Sequence, residues 1–296
     1  MLSGFCYQVY LPSIGEFERF AELNNMELLN ILKFGANNDK VGMSMYLEHL
    51  IHNKRASDQS AELHRIDKIC VLFTMLAVCI KPIVVMSVKC DVTGKDYNMD
   101  INILDLLNVI SNIQYQSDSH QVTDQGNQFL MRFPRDIYTS LESLNVYDVI
   151  HTMTVDDVVY DVHNYTQDQR SQLVSKLPGS TVSRMLRVLK QYNSMYENVV
   201  YLSYKSTHTD DPTIHDHTVN LVNNELFNMF FTIINSDLKS FYETVHAMAS
   251  NFNFSHEYYM KISPAEALTY YDMMVNDTQQ KQSQEPSTID NLIPGA

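Results

Sequence analysis

The most regular alternation of apolar and polar positions runs from Arg65 to Ile113 and predicts a helix, a two-stranded hairpin and a second helix. Ile66, Ile69, Cys70, Phe73, Leu76, Ala77 and Ile80 recur every three or four residues, which makes one apolar helical face. Lys81-Pro82 ends that helix, because proline lacks an amide donor and biases the residue before it toward extended backbone. Ile83 to Val88 is β-branched and apolar, as in a buried strand. Asp91 to Asp96 supplies turn chemistry, and Tyr97, Met99 and Ile101 then alternate with Asn98, Asp100 and Asn102 as a half-exposed return strand. Ile103, Leu106, Leu107, Ile110 and Ile113 resume helical spacing. Nothing in this stretch has the residue types of a reaction centre.

The flanking chain reads as shorter elements. Phe5, Tyr7 and Val9 alternate with Cys6, Gln8 and Tyr10, a strand broken by Leu11-Pro12-Ser13-Ile14-Gly15. Asn24 or Asn25 caps a helix carrying Leu28, Leu29 and Leu32, with Gly35 as its stop, and Met43, Tyr46, Leu47, Leu50 and Ile51 mark the next one. Tyr115 to Asn127 is polar and turn-rich, and Phe129, Met131 and Phe133 form a short strand ending at Pro134. Thr154 with Asp157 and Thr166 with Gln169 fit the capping pattern of a helix start. Val182, Met185, Leu186, Leu189 and Tyr192 follow the breaker Pro178-Gly179-Ser180 as a further helix. Leu226, Phe230, Ile233 and Ile234, then Leu238, Phe241, Val245 and Met248, have helical spacing. Ser263-Pro264-Ala265-Glu266 opens the last helix, whose apolar face is Leu268, Tyr271 and Met274.

These elements predict an α+β chain, mainly helical, with one small antiparallel sheet built from the N-terminal strand and the central hairpin. Four units are expected: an α+β body over 1–205, a polar linker over 206–217, a helical C-terminal subdomain over 218–276 and a flexible tail over 277–296.

Composition narrows the function. A chain of 296 residues holds a sizeable core, and its 8 glycines argue against glycine-rich phosphate loops. The net charge of −14 disfavours phosphate-backbone and anionic-membrane binding, which rest on Lys and Arg, so nucleic acid is not an expected partner. Cys6, Cys70, Cys79 and Cys90 form no CxxC pair and read as free thiols of a reducing compartment. No secretory leader is legible. The one stretch of membrane-spanning length, Ile69 to Val88, carries Lys81-Pro82 and changes period there, so no span is expected.

Candidate chemistry is sparse. His208, His215 and His217, with Asp210, Asp211 and Asp216, gather the residue types that ligate zinc, and a metal-binding regulator or enzyme is the alternative they raise. Without cysteine partners or a recognised spacing, the stretch reads as a solvated loop. His49 and His52 lie three apart beside Glu48 on a helix, a spacing that can chelate but also fits an outer polar face. His256-Glu257 opens a metalloprotease-like motif that Met260 breaks, and no nucleotide-binding or hydrolase signature occurs. Asp156-Asp157 reads as a helix start. No catalytic, cofactor or metal residue is therefore assigned.

Taken in order, several segments resemble the baseplate hub assembly proteins of T-even-type contractile-tailed bacteriophages. They are Tyr7 to Ser13, the helix of Asp67 and Ile69 leading to Val88 to Gly94 and Asp100-Ile101, and the strand Phe129 to Pro134. Thr166 to Arg170 running to Lys176-Leu177-Pro178, then Phe230-Phe231, Phe241-Tyr242 and Ile262 to Tyr271, complete the series. The family's pattern also has a cysteine pair after the proline turn. Asn193 to Lys205 contains none, so no zinc site is implied there. The resemblance implies a non-enzymatic protein, made in the host cytoplasm, that chaperones hub or tape-measure proteins during baseplate assembly. A structural hub subunit retained in the virion is the other role it allows. Expected partners are other tail proteins.

Overall fold

A computed structural model describes residues 6–57, 62–89, 94–197, 200–205, 214–219, 222, 228, 230, 238–252 and 254–284. The fold is α+β and mainly helical with small antiparallel sheets, the expected class. The strand pairing differs from expectation. β1 (Cys6–Leu11) does not join the central hairpin but pairs with β2 (Glu16–Ala21), in a register running from Cys6↔Ala21 to Leu11↔Glu16. The connecting turn places Gly15 at φ +71°, where glycine avoids a Cβ clash. β2 buries Phe20 and Ala21 while exposing Glu16 and Phe17, and its charged alternate positions hide it from the hydrophobic pattern.

α1 (Asn25–Ala36) begins with a reciprocal cap: Asn24 Oδ1 accepts from the Glu27 amide at 2.9 Å, and Glu27 Oε2 accepts from the Asn24 amide at 2.8 Å. It runs through Gly35 and stops at Asn37, with Asn38 in the left-handed region at φ +54°. α2 (Lys40–Lys54) buries Met43, Leu47, Leu50 and Ile51.

The predicted central module is present as α3 (Arg65–Cys79), β3 (Ile83–Lys89), β4 (Asp96–Asn102) and α4 (Ile103–Ser111). α3 is the core helix. All its residues except Thr74 and Val78 are buried, so it is packed on every side rather than along one face. β3 buries Val84 but exposes Ile83 and Val85, so the apolar run is a ribbon with one wet face and not a fully buried strand. No described helix is long and apolar enough to cross a membrane.

A four-stranded antiparallel sheet follows in the order β5 (Ser119–Asp124), β6 (Asn127–Arg132), β7 (Ile150–Val155) and β8 (Val158–Tyr160). Two corrections arise here. The polar stretch before Asn127 contains a strand, with Val122 and Asp124 turned inward. Asp156-Asp157 starts no helix: it is the tip of the β7–β8 hairpin, at φ +47° and +62°. Two successive left-handed residues make the tight turn whose twist matches paired strands, and Asp tolerates that region better than most residues. Gln125-Gly126 turns β5 into β6 in the same way.

Between β6 and β7 lies the single turn α5 (Val146–Val149), and α6 (Gln167–Ser175) and α7 (Gly179–Ser194) follow the sheet. α6 starts at the predicted Thr166–Gln169 capping box. α7 docks on β5, where Asp124 accepts from Ser180 Oγ at 2.9 Å and Thr181 Oγ1 at 2.5 Å, and Tyr192 stacks on Phe133 at 3.8 Å.

β9 (Val200–Lys205) and β10 (Ile214–Val219) form another antiparallel pair. The last four residues of the expected 206–217 linker are thus strand, while 206–213 lie outside the described residues. The helical segment around Leu226 and Ile233 also falls largely outside them, although Phe230 is buried against Phe73 with ring centroids 6.0 Å apart. α8 (Leu238–Phe252), α9 (His256–Lys261) and α10 (Pro264–Gln284) close the fold. Ser263 Oγ accepts from the Glu266 amide at 3.2 Å, as the sequence predicts. α10 buries Ala267 rather than the expected Leu268, and it continues past Asp277 to Gln284 because Gln and Lys are good helix formers.

Candidate functional site

The first turn of α3 carries three buried charges, Arg65, Asp67 and Lys68. Each is held by a distant segment. Arg65 Nη1 donates to the carbonyls of Asp136 at 2.9 Å and Thr139 at 2.7 Å. Asp67 accepts from the Ser13 amide at 3.0 Å, the Ser13 hydroxyl at 2.5 Å and the His64 amide at 3.1 Å. Lys68 Nζ pairs with Glu48 at 2.6 Å, and Glu48 also accepts from the Ile137 amide at 3.1 Å.

Beside this turn, His64 Nδ1 lies 2.6 Å from the Tyr115 hydroxyl and 3.1 Å from Asp118, which also takes a forked contact from Arg135. Burial opposes the Asp118 charge, but hydrogen bonds from His64 and Arg135 outweigh it and hold the carboxyl well below the usual carboxylate range. Burial, then the Asp118 carboxylate, pushes the Tyr115 phenol well up. These groups face other parts of the chain, and none of Arg65, Asp67, Lys68 or Asp118 lines a described cleft. Chemically the cluster is a tie between α2, α3, the β1–β2 turn and the segments around Asp118 and Asp136.

The histidine candidates on the helices are not gathered into a site. Glu48 is committed to Lys68, leaving His49 and His52 exposed on α2, and His49 contacts Asn53 at 2.8 Å. Glu257 pairs with Lys261 at 2.6 Å. His215 and His217 lie on β10 opposite Tyr204 and Leu202, and His208 lies outside the described residues. Among the described residues, no group of three or more His, Cys, Asp or Glu side chains is placed to hold a metal ion. Cys70 and Cys79 are buried, and burial pushes the Cys79 thiol up to about 11.

Surface concavities are the remaining candidates. A cleft of about 450 Å³ lies between α1, the end of α3 and the C-terminal helices, floored by Leu28, Leu32, Ala77, Phe241 and Ala267. Val78 and Leu268 stand on its rim, with Leu268 54 % exposed. Asn25 locks one wall: its amide donates to the Ile262 carbonyl at 3.0 Å and its Nδ2 to the Tyr259 carbonyl at 2.9 Å. A second cleft, of about 410 Å³, separates the β1–β2 hairpin from α4, with exposed Phe17 and Leu104 among its lining. The sequence placed Leu268 on a core-facing stripe, and nothing in its spacing marks it as a rim residue.

Residues 8–221 match the family described as T4 bacteriophage base plate protein. The match covers most of the chain, and the chain belongs to this family of phage baseplate proteins. No curated protein and no solved structure matches the chain. A baseplate is part of a phage tail, so membership implies a place in that structure and other tail proteins as partners.

Proposed function

We propose that the chain is a non-enzymatic assembly factor for the central hub of the baseplate, chaperoning hub or tape-measure proteins in the host cytoplasm. Family membership supports the coarser part of this reading, a role among baseplate proteins. The surface supports it: a cleft with an apolar floor and exposed Val78 and Leu268 at its rim suits the apolar face of a partner helix. The buried ionic groups, each engaged by a segment of the same chain, favour a scaffold over an enzyme.

The test is a pull-down of the full chain from infected cells, with mass spectrometry of mature virions in parallel. Capture of hub or tape-measure proteins, with the chain missing from virions, is the expected result. Stoichiometric presence in virions would make it a structural subunit instead, and capture of no tail protein would refute both roles. Leu268→Asp is expected to cut that capture while changing stability by no more than about 0.5 kcal/mol, because the side chain is more than half exposed.

A further inference from the structure

The four-stranded sheet ends on β8, whose three residues are all apolar and all exposed: Val158 51 %, Val159 63 % and Tyr160 39 %. Among the described residues no strand lies outside it. The register Val155↔Val158, Thr154↔Val159 and Met153↔Tyr160 fixes where its backbone points. A two-residue turn makes Val155 and Val158 a hydrogen-bonded pair, and the pattern alternates along an antiparallel ladder. The amide and carbonyl of Val159 therefore turn away from β7 toward the open edge.

Exposed edges are ordinarily blunted by charges within the strand. Here the charges stand at its ends: Asp156 and Asp157 before the apolar triplet and Asp161 after it, all exposed. A second copy pairing antiparallel about Val159 would set Asp157 opposite Asp161 at both ends, and like charges directly opposite are destabilising. Parallel pairing in register would set each aspartate beside its twin. The same positions attract a strand with Lys or Arg opposite Asp157 and Asp161, four residues apart, and β-branched residues between.

We propose that β8 is a docking edge for an extended segment of another tail protein with that pattern, a basic residue, three β-forming residues and a second basic residue. This rests on the reading that the chain works by contacting other tail proteins. The added strand would extend the sheet through the Val159 backbone, and the aspartates would reject self-association while selecting a basic partner.

The test uses the full chain and fluorescein-labelled peptides built on Lys-Val-Thr-Val-Lys with threonine flanks, read by fluorescence anisotropy. The expected result is saturable binding that weakens roughly tenfold when both lysines become glutamate, since charge pairs across an interface set partner choice. Val159→Pro is expected to abolish binding and leave the fold intact, because it removes only an amide that points outward, where an edge strand tolerates proline. Asp161→Lys is expected to narrow or reverse the preference between the two peptides.

Absence of binding, equal binding of both peptides, or full binding by Val159→Pro would each overturn the proposal. So would a dimer of the free chain in analytical ultracentrifugation that Val159→Pro dissolves, since the edge would then serve a second copy. Infected-cell pull-downs separate this from the broader reading. If the natural chain and Val159→Pro capture the same tail proteins equally, the edge is wrong and the assembly role stands. If neither captures any, the assembly role fails whatever the peptides do.

Discussion

Asp67 offers the sharpest test of how the fold is held. The residue is 1 % exposed, and its carboxylate accepts three hydrogen bonds, two from Ser13 in the β1–β2 turn and one from the His64 amide at the start of α3. Asp67→Ala strands two backbone amides in a part-buried site, while the Ser13 hydroxyl can rotate to water. An unmade hydrogen bond of a buried group costs about 1–3 kcal/mol, so two at the lower end give a loss of about 2–4 kcal/mol. Asp67→Asn keeps one acceptor oxygen and should lose roughly half as much. The chain has no tryptophan, so urea unfolding is followed by far-UV circular dichroism. With a slope near 3 kcal/mol per molar, Asp67→Ala should lower the midpoint by about 1 M. Glu16→Ala is the control, removing an exposed carboxylate from the same hairpin. A midpoint for Asp67→Ala within about 0.2 M of that control would refute the account of Asp67 as the tie between hairpin and helix.

Three further outcomes follow from the same geometry. Because the native Asp118 carboxyl is held below its unfolded value of about 3.9, its stabilisation is present above that pH and is lost as pH falls toward the native value. The melting-temperature gap between the natural chain and Asp118→Asn should be widest from about pH 5 to 7 and narrow progressively as pH falls below about 4; a gap that stays constant would contradict the His64–Asp118–Arg135 contacts. Asp157→Gly relieves a left-handed residue at the β7–β8 turn and should stabilise by about 0.5–1 kcal/mol in the same urea assay, whereas Asp157→Val should destabilise. In a Cys90→Ser background, a thiol reagent should modify Cys6 in the native state and reach Cys70 and Cys79 only in denaturant, as read by mass spectrometry of the labelled peptides.

Local signals carried much of the architecture. The helix–hairpin–helix from Arg65 to Ser111 was legible because its periods change at Lys81-Pro82 and again at Asn102. The starts at Asn24, Thr166 and Ser263 were legible because a cap is a contact within four residues. The misreadings share a cause. Thr154 and Asp157 satisfy the capping spacing, but Val158-Val159-Tyr160 continues with a strand's residues, and pairing to Met153–Val155 decides the outcome. β2 and β5 carry charged or polar residues at half or more of their positions, Glu18 and Asp124 among the buried ones, and only a partner strand makes them visible. The ionic cluster was least legible of all. Arg65, Asp67 and Lys68 look like the wet start of an amphipathic helix, and what buries them lies up to 74 residues away.

That cluster bears on how the protein docks. Burying ions costs desolvation that a well-packed apolar contact would not, so the charges are poorly explained as a source of stability alone. Their geometry fits registration better. Asp67 fixes the β1–β2 turn, Lys68 fixes Glu48 on α2, and Arg65 fixes the carbonyls of Asp136 and Thr139, all from one helical turn. The other end of α3 supplies Ala77, Val78 and Cys79 to the cleft against the C-terminal helices. One helix, buried on nearly every side, therefore sets both the N-terminal frame and the floor of the exposed groove. A partner meeting that surface has little ordering cost to offset, because the groove's floor residues Leu28, Leu32, Ala77, Phe241 and Ala267 are already buried among packed helices. Substitutions inside the cluster should thus weaken partner capture indirectly, through loss of fold. Changes at the Leu268 rim or the Val159 edge should weaken it with the fold intact, and that contrast separates a docking residue from a scaffold residue.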